Sequence, residues 1–140
     1  MTDLDTNKAI AARYLDLIAQ GDADAVAALF TEDGAIVLQS HTMLPPETRG
    51  REAIRGMIAS LPQIFPETGL RITVDVMTAE EDRVAIVAHS DAIHVSGKPY
   101  RNRYHFLLYI RDGKIFESHE YLDSLLLTDI FFDGARPDAA

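Results

Sequence analysis

One carboxylate on the mostly apolar face of a predicted hairpin is the residue of this sequence best placed to do chemistry. The segment from Tyr100 to Asp123 predicts a β-hairpin, because two runs rich in aromatic and aliphatic residues flank an Asp-Gly turn. Side chains alternate between the faces of a strand, so we expect one face of the hairpin to hold Asn102, Tyr104, Phe106, Phe116, Ser118, Glu120 and Leu122. A mostly apolar wall with a few polar groups is typical of a small-molecule pocket. Glu120 is the predicted general acid and base, and the others are predicted substrate contacts.

A histidine and an aspartate two positions apart form a second candidate. His89 and Asp91 share one face of a predicted strand with Val87 and Ile93. Burial among such residues raises the pKa of a carboxyl group, and a nearby histidine lowers it again. That arrangement separates acid and base roles at one pH, so we expect this pair to be catalytic, tuning or sharing the proton of Glu120. The alternative for all three residues is a structural role.

Two further residues are expected to reach the pocket from other parts of the chain. His41 lies in a predicted loop over residues 40–50, where two prolines interrupt regular structure. Met57 lies on the apolar stripe of a helix predicted over residues 51–61. His41 fits a solvated loop histidine as well as a substrate contact. We predict no metal site, because the histidine spacing offers at most two ligands where zinc takes three or four.

The elements that must position these residues follow an α+β pattern. Helical periodicity and turn residues predict three helices around one early strand, followed by four strands in a meander. This order predicts a single domain over residues 1–132, with helices packed on one face of a curved sheet and a cone-shaped cavity between the layers. The apolar segment from Ser124 to Phe132 is expected to cover the cavity mouth or a dimer partner. Residues 133–140 are expected to be disordered.

Composition narrows the classes of partner. The chain of 140 residues carries a formal net charge of −9, which argues against binding to nucleic acid or to anionic membranes, since both need a basic face. The sequence contains no cysteine, so disulfides and thiolate metal sites are excluded. No apolar run approaches the roughly 20 residues of a membrane span, and no signal peptide is visible. We therefore expect a cytoplasmic protein whose partner is a small molecule or another protein.

Several short motifs give the chain a family resemblance. LFTEDG, LPP followed by RGREAI, GKPYRNRY, and RDGKI followed by HEYLD are spread over nearly the whole length. With these motifs the chain resembles the SnoaL-like branch of the nuclear-transport-factor-2-like superfamily, whose relatives include polyketide cyclases, ketosteroid isomerases, limonene-epoxide hydrolases and phenazine-biosynthesis A/B proteins. The resemblance implies a cone-shaped, cystatin-like α+β fold with a mixed or antiparallel sheet. Members of this superfamily carry out several different reactions, and some carry out none.

The resemblance also implies roles for particular residues. In the epoxide hydrolases, an Arg-x-Asp sequence and an acidic residue before a tyrosine form a relay that activates water. His89, Asp91 and Glu120 stand at the corresponding positions. The phenazine proteins place a key glutamate where Glu120 stands.

Three hypotheses about function follow. The first is a cofactor-free enzyme that performs cyclisation, isomerisation or water addition on a small hydrophobic molecule. The second is a non-catalytic module that uses the same cavity for ligand binding or dimerisation, and the third is an interaction domain with a closed core. On each of them we expect a homodimer. Its interface is predicted on the sheet face that carries Arg101, Arg103, His105, Leu107 and Tyr109.

Overall fold

The computed structural model describes residues 3–138. Its elements, in chain order, are α1 (Leu4–Gln20), α2 (Ala23–Leu29), β1 (Phe30–Leu38), β2 (Glu47–Arg49), α3 (Arg51–Ile64), β3 (Ile72–Glu80), β4 (Arg83–Ser90), β5 (Ala92–Ile93), β6 (Pro99–Tyr100), β7 (Arg103–Arg111), β8 (Lys114–Leu122) and α4 (Ser124–Phe132). The predicted α+β fold, with helices packed on a curved sheet, is confirmed. The apolar C-terminal segment, which carried no prediction of secondary structure, forms α4.

The main sheet is mixed. Its strand order is β2-β1-β8-β7-β4-β3, and β5 pairs with β6 in a separate ribbon. All neighbours are antiparallel except β1 and β8, which run parallel. In this register Leu38 lies opposite Glu120 on one side, and Phe106 lies opposite Glu120 on the other. Glu120 therefore sits in the middle of the sheet, flanked by apolar positions.

The first helix is capped at both ends. Asp3 is its N-cap, because the Asp3 carboxylate accepts hydrogen bonds from the backbone N–H groups of Asp5 and Thr6. The Thr6 hydroxyl donates to the same carboxylate. Gly21 ends the helix in the left-handed region, at a φ of 69°, where glycine is favoured. Between these ends, Ala11, Tyr14, Leu15, Leu17 and Ile18 are the apolar residues of α1 that are buried.

The third helix continues past its proline. Pro62 lacks a backbone N–H, yet α3 runs on to Ile64. The last turn is held by a hydrogen bond of 2.8 Å from the Phe65 N–H to the Leu61 carbonyl. The longer α3 adds Ile64, which packs against the core.

The core lies between the helices and the inner face of the sheet. Fully buried aromatic and aliphatic side chains from both layers meet there, among them Tyr14, Phe30, Ile54, Ile86, Phe106 and Leu108. Leu127 brings α4 into the same core. The helices therefore close the sheet from one side only, and the other face of the sheet remains open.

The described part of the segment after α4 carries no regular structure. Residues 133–138 form a turn and an irregular segment, and residues 139 and 140 of the predicted disordered tail lie outside the described residues. Across residues 3–138, no helix is long and apolar enough to cross a membrane.

Candidate active site

A small cavity lies between the helices and the inner face of the sheet. Its volume is about 140 Å³, close to that of engineered apolar cavities that hold benzene. The walls are Tyr14, Ile18, Ile36, Leu44, Met57, Ile58, Ser60, Leu61, Ile64, Phe65, Leu70, Ile72, Tyr100, Tyr104, Glu120, Leu122, Leu127 and Phe131. Of the described residues that line it, Glu120 is the only charged one. The cavity therefore suits a small, mostly apolar molecule that meets a single carboxyl group.

Glu120 has no protein partner for its charge. It lines the cavity from β8, and no donor among residues 3–138 hydrogen-bonds its carboxyl oxygens. Burial raises the pKa of Glu120 from 4.5 to about 7, because removal from water disfavours the charged form. Both protonation states are accordingly populated near neutral pH, as a group that accepts and returns protons requires.

Three tyrosine hydroxyls share the cavity with this carboxyl group. Burial raises the pKa of Tyr14, Tyr100 and Tyr104, and the negative charge of Glu120 raises each further. The hydroxyls of Tyr14 and Ser118 are buried without a hydrogen-bond partner. Ser118 is near enough to Tyr14 to lower its pKa somewhat, although the pair misses hydrogen-bond geometry. The phenols therefore stay neutral near pH 7.

A buried amide holds one of these phenols in place. The side-chain nitrogen of Asn102 donates to the Tyr100 hydroxyl at 2.9 Å and to the Asp123 carbonyl at 3.0 Å. Its side-chain oxygen accepts from the Asp123 N–H at 3.0 Å. The Tyr104 hydroxyl donates to the Tyr100 hydroxyl at 3.4 Å. Asn102 thus joins the start of α4 to the phenol pair.

The structure contradicts the predicted pairing of His89 and Asp91 with Glu120. Ala88 and Ser90 of β4 face the core, so His89 points to the outer face of the sheet, where its Nδ1 lies 2.8 Å from a carboxylate oxygen of Asp75. Asp91 follows the end of β4 and is exposed. The two side chains lie on the opposite side of the sheet from the cavity and cannot share a proton with Glu120.

The remaining predicted site residues separate into two groups. Met57, Tyr104 and Leu122 line the cavity with Glu120. The other predicted residues do not line the cavity. Asn102, Phe106 and Ser118 are buried behind its wall, whereas His41 and Phe116 lie elsewhere.

Local geometry explains the two residues that lie elsewhere. A β-bulge at the start of β8 pairs Ile115 with Ile110 and shifts the alternation, so Phe116 turns away from the core and lies under the Arg111 guanidinium. His41 is exposed and lies beside α4. Neither side chain reaches a ligand in the cavity.

Two of the three tyrosines in the cavity wall were not predicted as site residues. They are Tyr14 on α1 and Tyr100 on β6. A signal was present for Tyr100, because it has the same strand parity as Tyr104. A phenol on an otherwise aliphatic stripe is the corresponding signal for Tyr14.

Metal binding would need a cluster of ligands. Within residues 3–138, no three histidine, aspartate or glutamate side chains come close enough together to hold a metal ion.

Comparisons with known proteins place the chain in a family. The SnoaL-like domain matches residues 11–118. A search of curated proteins found no match.

Solved structures with the same fold cover almost the whole chain. A Bacillus subtilis protein provisionally described as an isomerase has 20% identity and a TM-score of 0.83, over 99% of this chain and 100% of its own. A protein provisionally described as a SnoaL-like polyketide cyclase, from a Jannaschia species, has 20% identity and a TM-score of 0.74, over 98% of each chain. A Catenulispora acidiphila protein with a ketosteroid-isomerase-like fold, in complex with trimethylamine, has 20% identity and a TM-score of 0.75, over 86% of this chain and 90% of its own. At these identities the similarity shows the fold alone. The match over residues 11–118 identifies the chain as a member of the SnoaL-like domain family.

Proposed function

We propose that the protein is an enzyme that moves a proton within a small, largely apolar substrate, with Glu120 as the general acid and base. The observation that carries this proposal is a carboxyl group without a protein partner, in a small apolar cavity, with a pKa of about 7. A group with that pKa near neutral pH both takes up and releases protons efficiently. A carboxylate with only a structural role would be expected to have a partner.

Isomerisation is the reaction that these residues support most directly. The Glu120 carboxylate removes a proton from the carbon next to a carbonyl group, and the electron pair of the broken C–H bond passes to the carbonyl oxygen. In an unsaturated ketone whose C=C bond lies beyond that carbon, the electron pair then returns from the oxygen as the neutral Glu120 gives its proton to the far carbon of the C=C bond. The double bond moves next to the carbonyl group, and the carboxylate is regenerated. In cyclisation, the same enolate instead attacks a second carbonyl carbon of the substrate, the π electrons of that carbonyl group pass to its oxygen, and the neutral Glu120 protonates this oxygen. In water addition, the Glu120 carboxylate removes a proton from a water molecule.

Replacing Glu120 with Gln tests the proposal. The change keeps the size of the side chain but removes the titrating proton. The activity of the parent protein is first measured with a panel of small enones, epoxides and ketones, including 3-cyclohexenone. We expect turnover to fall by about 10²–10⁴-fold, which is typical of a positioned acid or base. Glu117→Gln is the matched control, since Glu117 lies on the same strand but is bonded to Arg49 and His119. A Glu120→Gln protein within about tenfold of the parent would refute the acid and base role.

Ligand binding without turnover is the second candidate. The observation in its favour is that five aromatic rings surround the lone acid, those of Tyr14, Phe65, Tyr100, Tyr104 and Phe131. Aromatic faces and a carboxylate together attract a small ammonium ion, and the related Catenulispora protein is in complex with trimethylamine. Calorimetry with trimethylamine, and with neutral tert-butanol as a control of similar shape, separates the candidates. A binder takes the amine more tightly as the pH rises through 7 and turns over none of the panel.

A further inference from the structure

We infer that Phe131 of α4 sets the size limit of the ligand, so that the cavity takes a single small ring and rejects the same ring with an alkyl chain. Like the proposed function, this assignment rests on the use of the cavity by a ligand, and it adds the residue that determines which ligands fit. It depends on the packing of α4 and not on the protonation of Glu120.

Helix α4 is the cavity wall with the weakest attachment to the rest of the fold. Its backbone hydrogen bonds stay within the helix and its end turns, and among residues 3–138 none joins it to another element. The Asn102 side chain fixes its start through the N–H and carbonyl groups of Asp123. At its far end, the Asp133 carboxylate lies 3.9 Å from the Lys98 ammonium group at the surface. Between these two points, side-chain packing alone holds α4 against the cavity.

Helix α3, which also lines the cavity, is anchored by polar contacts to other elements. The Arg51 guanidinium donates two hydrogen bonds to the Phe30 carbonyl. The Arg55 guanidinium pairs with the Asp24 carboxylate at 2.7 Å, and Ile58 is buried in the core. A ligand too long for the cavity should therefore displace α4 before it displaces α3.

Two residues of α4 line the cavity, and they differ in what lies behind them. Leu127 and Phe131 are four positions apart and share one face of the helix. Leu127 is 2% exposed and belongs to the core, whereas Phe131 is only partly buried. The Phe131 ring therefore lies between the cavity and solvent, and its removal extends the cavity toward the surface.

Aromatic contacts hold the Phe131 ring in the wall. Its centroid lies 5.2 Å from that of Tyr100, 5.3 Å from that of His94 and 5.8 Å from that of Phe65. A ligand chain that points this way must push the ring out of the cluster and lose these contacts. A single small ring needs no such movement, since the cavity of about 140 Å³ is close in size to apolar cavities that hold benzene.

The test compares the binding of benzene and propylbenzene by NMR titration of the ¹⁵N-labelled protein. We expect the parent to bind benzene more tightly, by about tenfold or more, because propylbenzene displaces Phe131 from three aromatic contacts. We expect Phe131→Ala to invert this preference. Each further CH₂ group that becomes buried in the enlarged cavity should improve the affinity by about fourfold.

Three further variants serve as controls. Phe132→Ala is the matched control, because it removes the same side chain at the next position, which does not line the cavity; it should keep the parent's preference for benzene. Met57→Ala tests a limit set by α3 instead, since Met57 lines the cavity and is also partly exposed. If Phe131→Ala does not fold, as judged by circular dichroism, Phe131→Leu keeps much of the packing and should reduce the preference for benzene by roughly threefold.

The outcomes separate this assignment from the proposed function. A parent that binds neither hydrocarbon, or both equally well, overturns the role of Phe131, and so does a preference that inverts in Met57→Ala but not in Phe131→Ala. Glu120→Gln should show the parent's preference, because a hydrocarbon needs no acid or base. A size limit that follows Phe131, without turnover of any panel member, supports the assignment and contradicts the enzyme. Turnover that needs Glu120, with the preference unchanged in Phe131→Ala, supports the enzyme and overturns the assignment.

Discussion

Replacing Glu120 with Gln is expected to stabilise the folded protein at alkaline pH. Burial raises the pKa of this carboxyl group from 4.5 to about 7, so between these values the folded state binds more protons than the unfolded chain. The contribution of Glu120 to stability is fully present below pH 4.5 and is lost as the pH rises through 7. Glutamine does not titrate, so the variant escapes this loss.

The size of the effect follows from the two pKa values. One pH unit corresponds to about 1.4 kcal/mol, and the difference between 4.5 and about 7 therefore sets an upper limit of roughly 3 kcal/mol at pH 8. Part of the Glu120 side chain is accessible within the cavity, and water there reduces the penalty. We expect the parent to lose about 2 kcal/mol more than the variant between pH 5 and pH 8.

Urea denaturation of both proteins at the two pH values measures this difference. Every other ionisable group is present in both proteins, so the comparison isolates Glu120. Glu117→Gln provides the control, because bonds from Arg49 and His119 lower the pKa of Glu117 from 4.5, so this variant should keep the pH dependence of the parent between the two pH values. That carboxylate contributes stability above its unfolded pKa and loses it as the pH falls. If the parent and Glu120→Gln proteins show the same pH dependence within about 0.5 kcal/mol, the carboxyl group is not desolvated and the acid and base argument loses its basis.

Three further predictions follow from the placement of other residues. His89→Ala should leave turnover unchanged, because the imidazole lies on the outer face of the sheet; a large loss of kcat would place it in the mechanism after all. Gly69→Ala should lower the free energy of unfolding by more than about 1 kcal/mol. Gly69 has a φ of 65°, and a Cβ there would collide with the Ala19 carbonyl oxygen. Chemical denaturation measures the loss of stability. The open sheet face exposes Val76 and Val87, so we expect a homodimer by light scattering and a monomer for Val76→Glu, whereas a parent mass near 15.5 kDa at micromolar concentration would reject the dimer.

The layout of the fold and the inward position of Glu120 could be predicted from the sequence. In the hairpin, apolar residues at alternate positions identify the buried face, and Glu120 shares strand parity with Tyr104 and Leu122, which also line the cavity. Turn residues gave the order of the elements. Both kinds of signal are local, so they survive in a single sequence.

The orientation of His89 could not be predicted in the same way. The strand that carries it is apolar on both faces, with Val87 outside and Ala88 inside, so alternation alone does not say which face meets the helices. The bulge at Phe116 could not be predicted for a related reason. One extra residue reverses the alternation of side chains along the strand, and no particular residue type in the sequence indicates it. Tyr14 is distant from Glu120 in the sequence, and only the packing of α1 against the sheet brings both residues to the cavity.

The parallel pairing of β1 with β8 has a consequence for how the chain reaches this structure. Leu38 meets Glu120 across more than eighty residues of intervening chain, so this pair forms only after a long loop has closed. The loop entropy must be overcome before the contact gives any stability, which makes such topologies slow to fold. The meander from β3 to β8 has much shorter connections and can form first. Substitutions in β1 should therefore speed unfolding more than they slow folding, and a nascent domain would hold an incomplete cavity until its first strand docks.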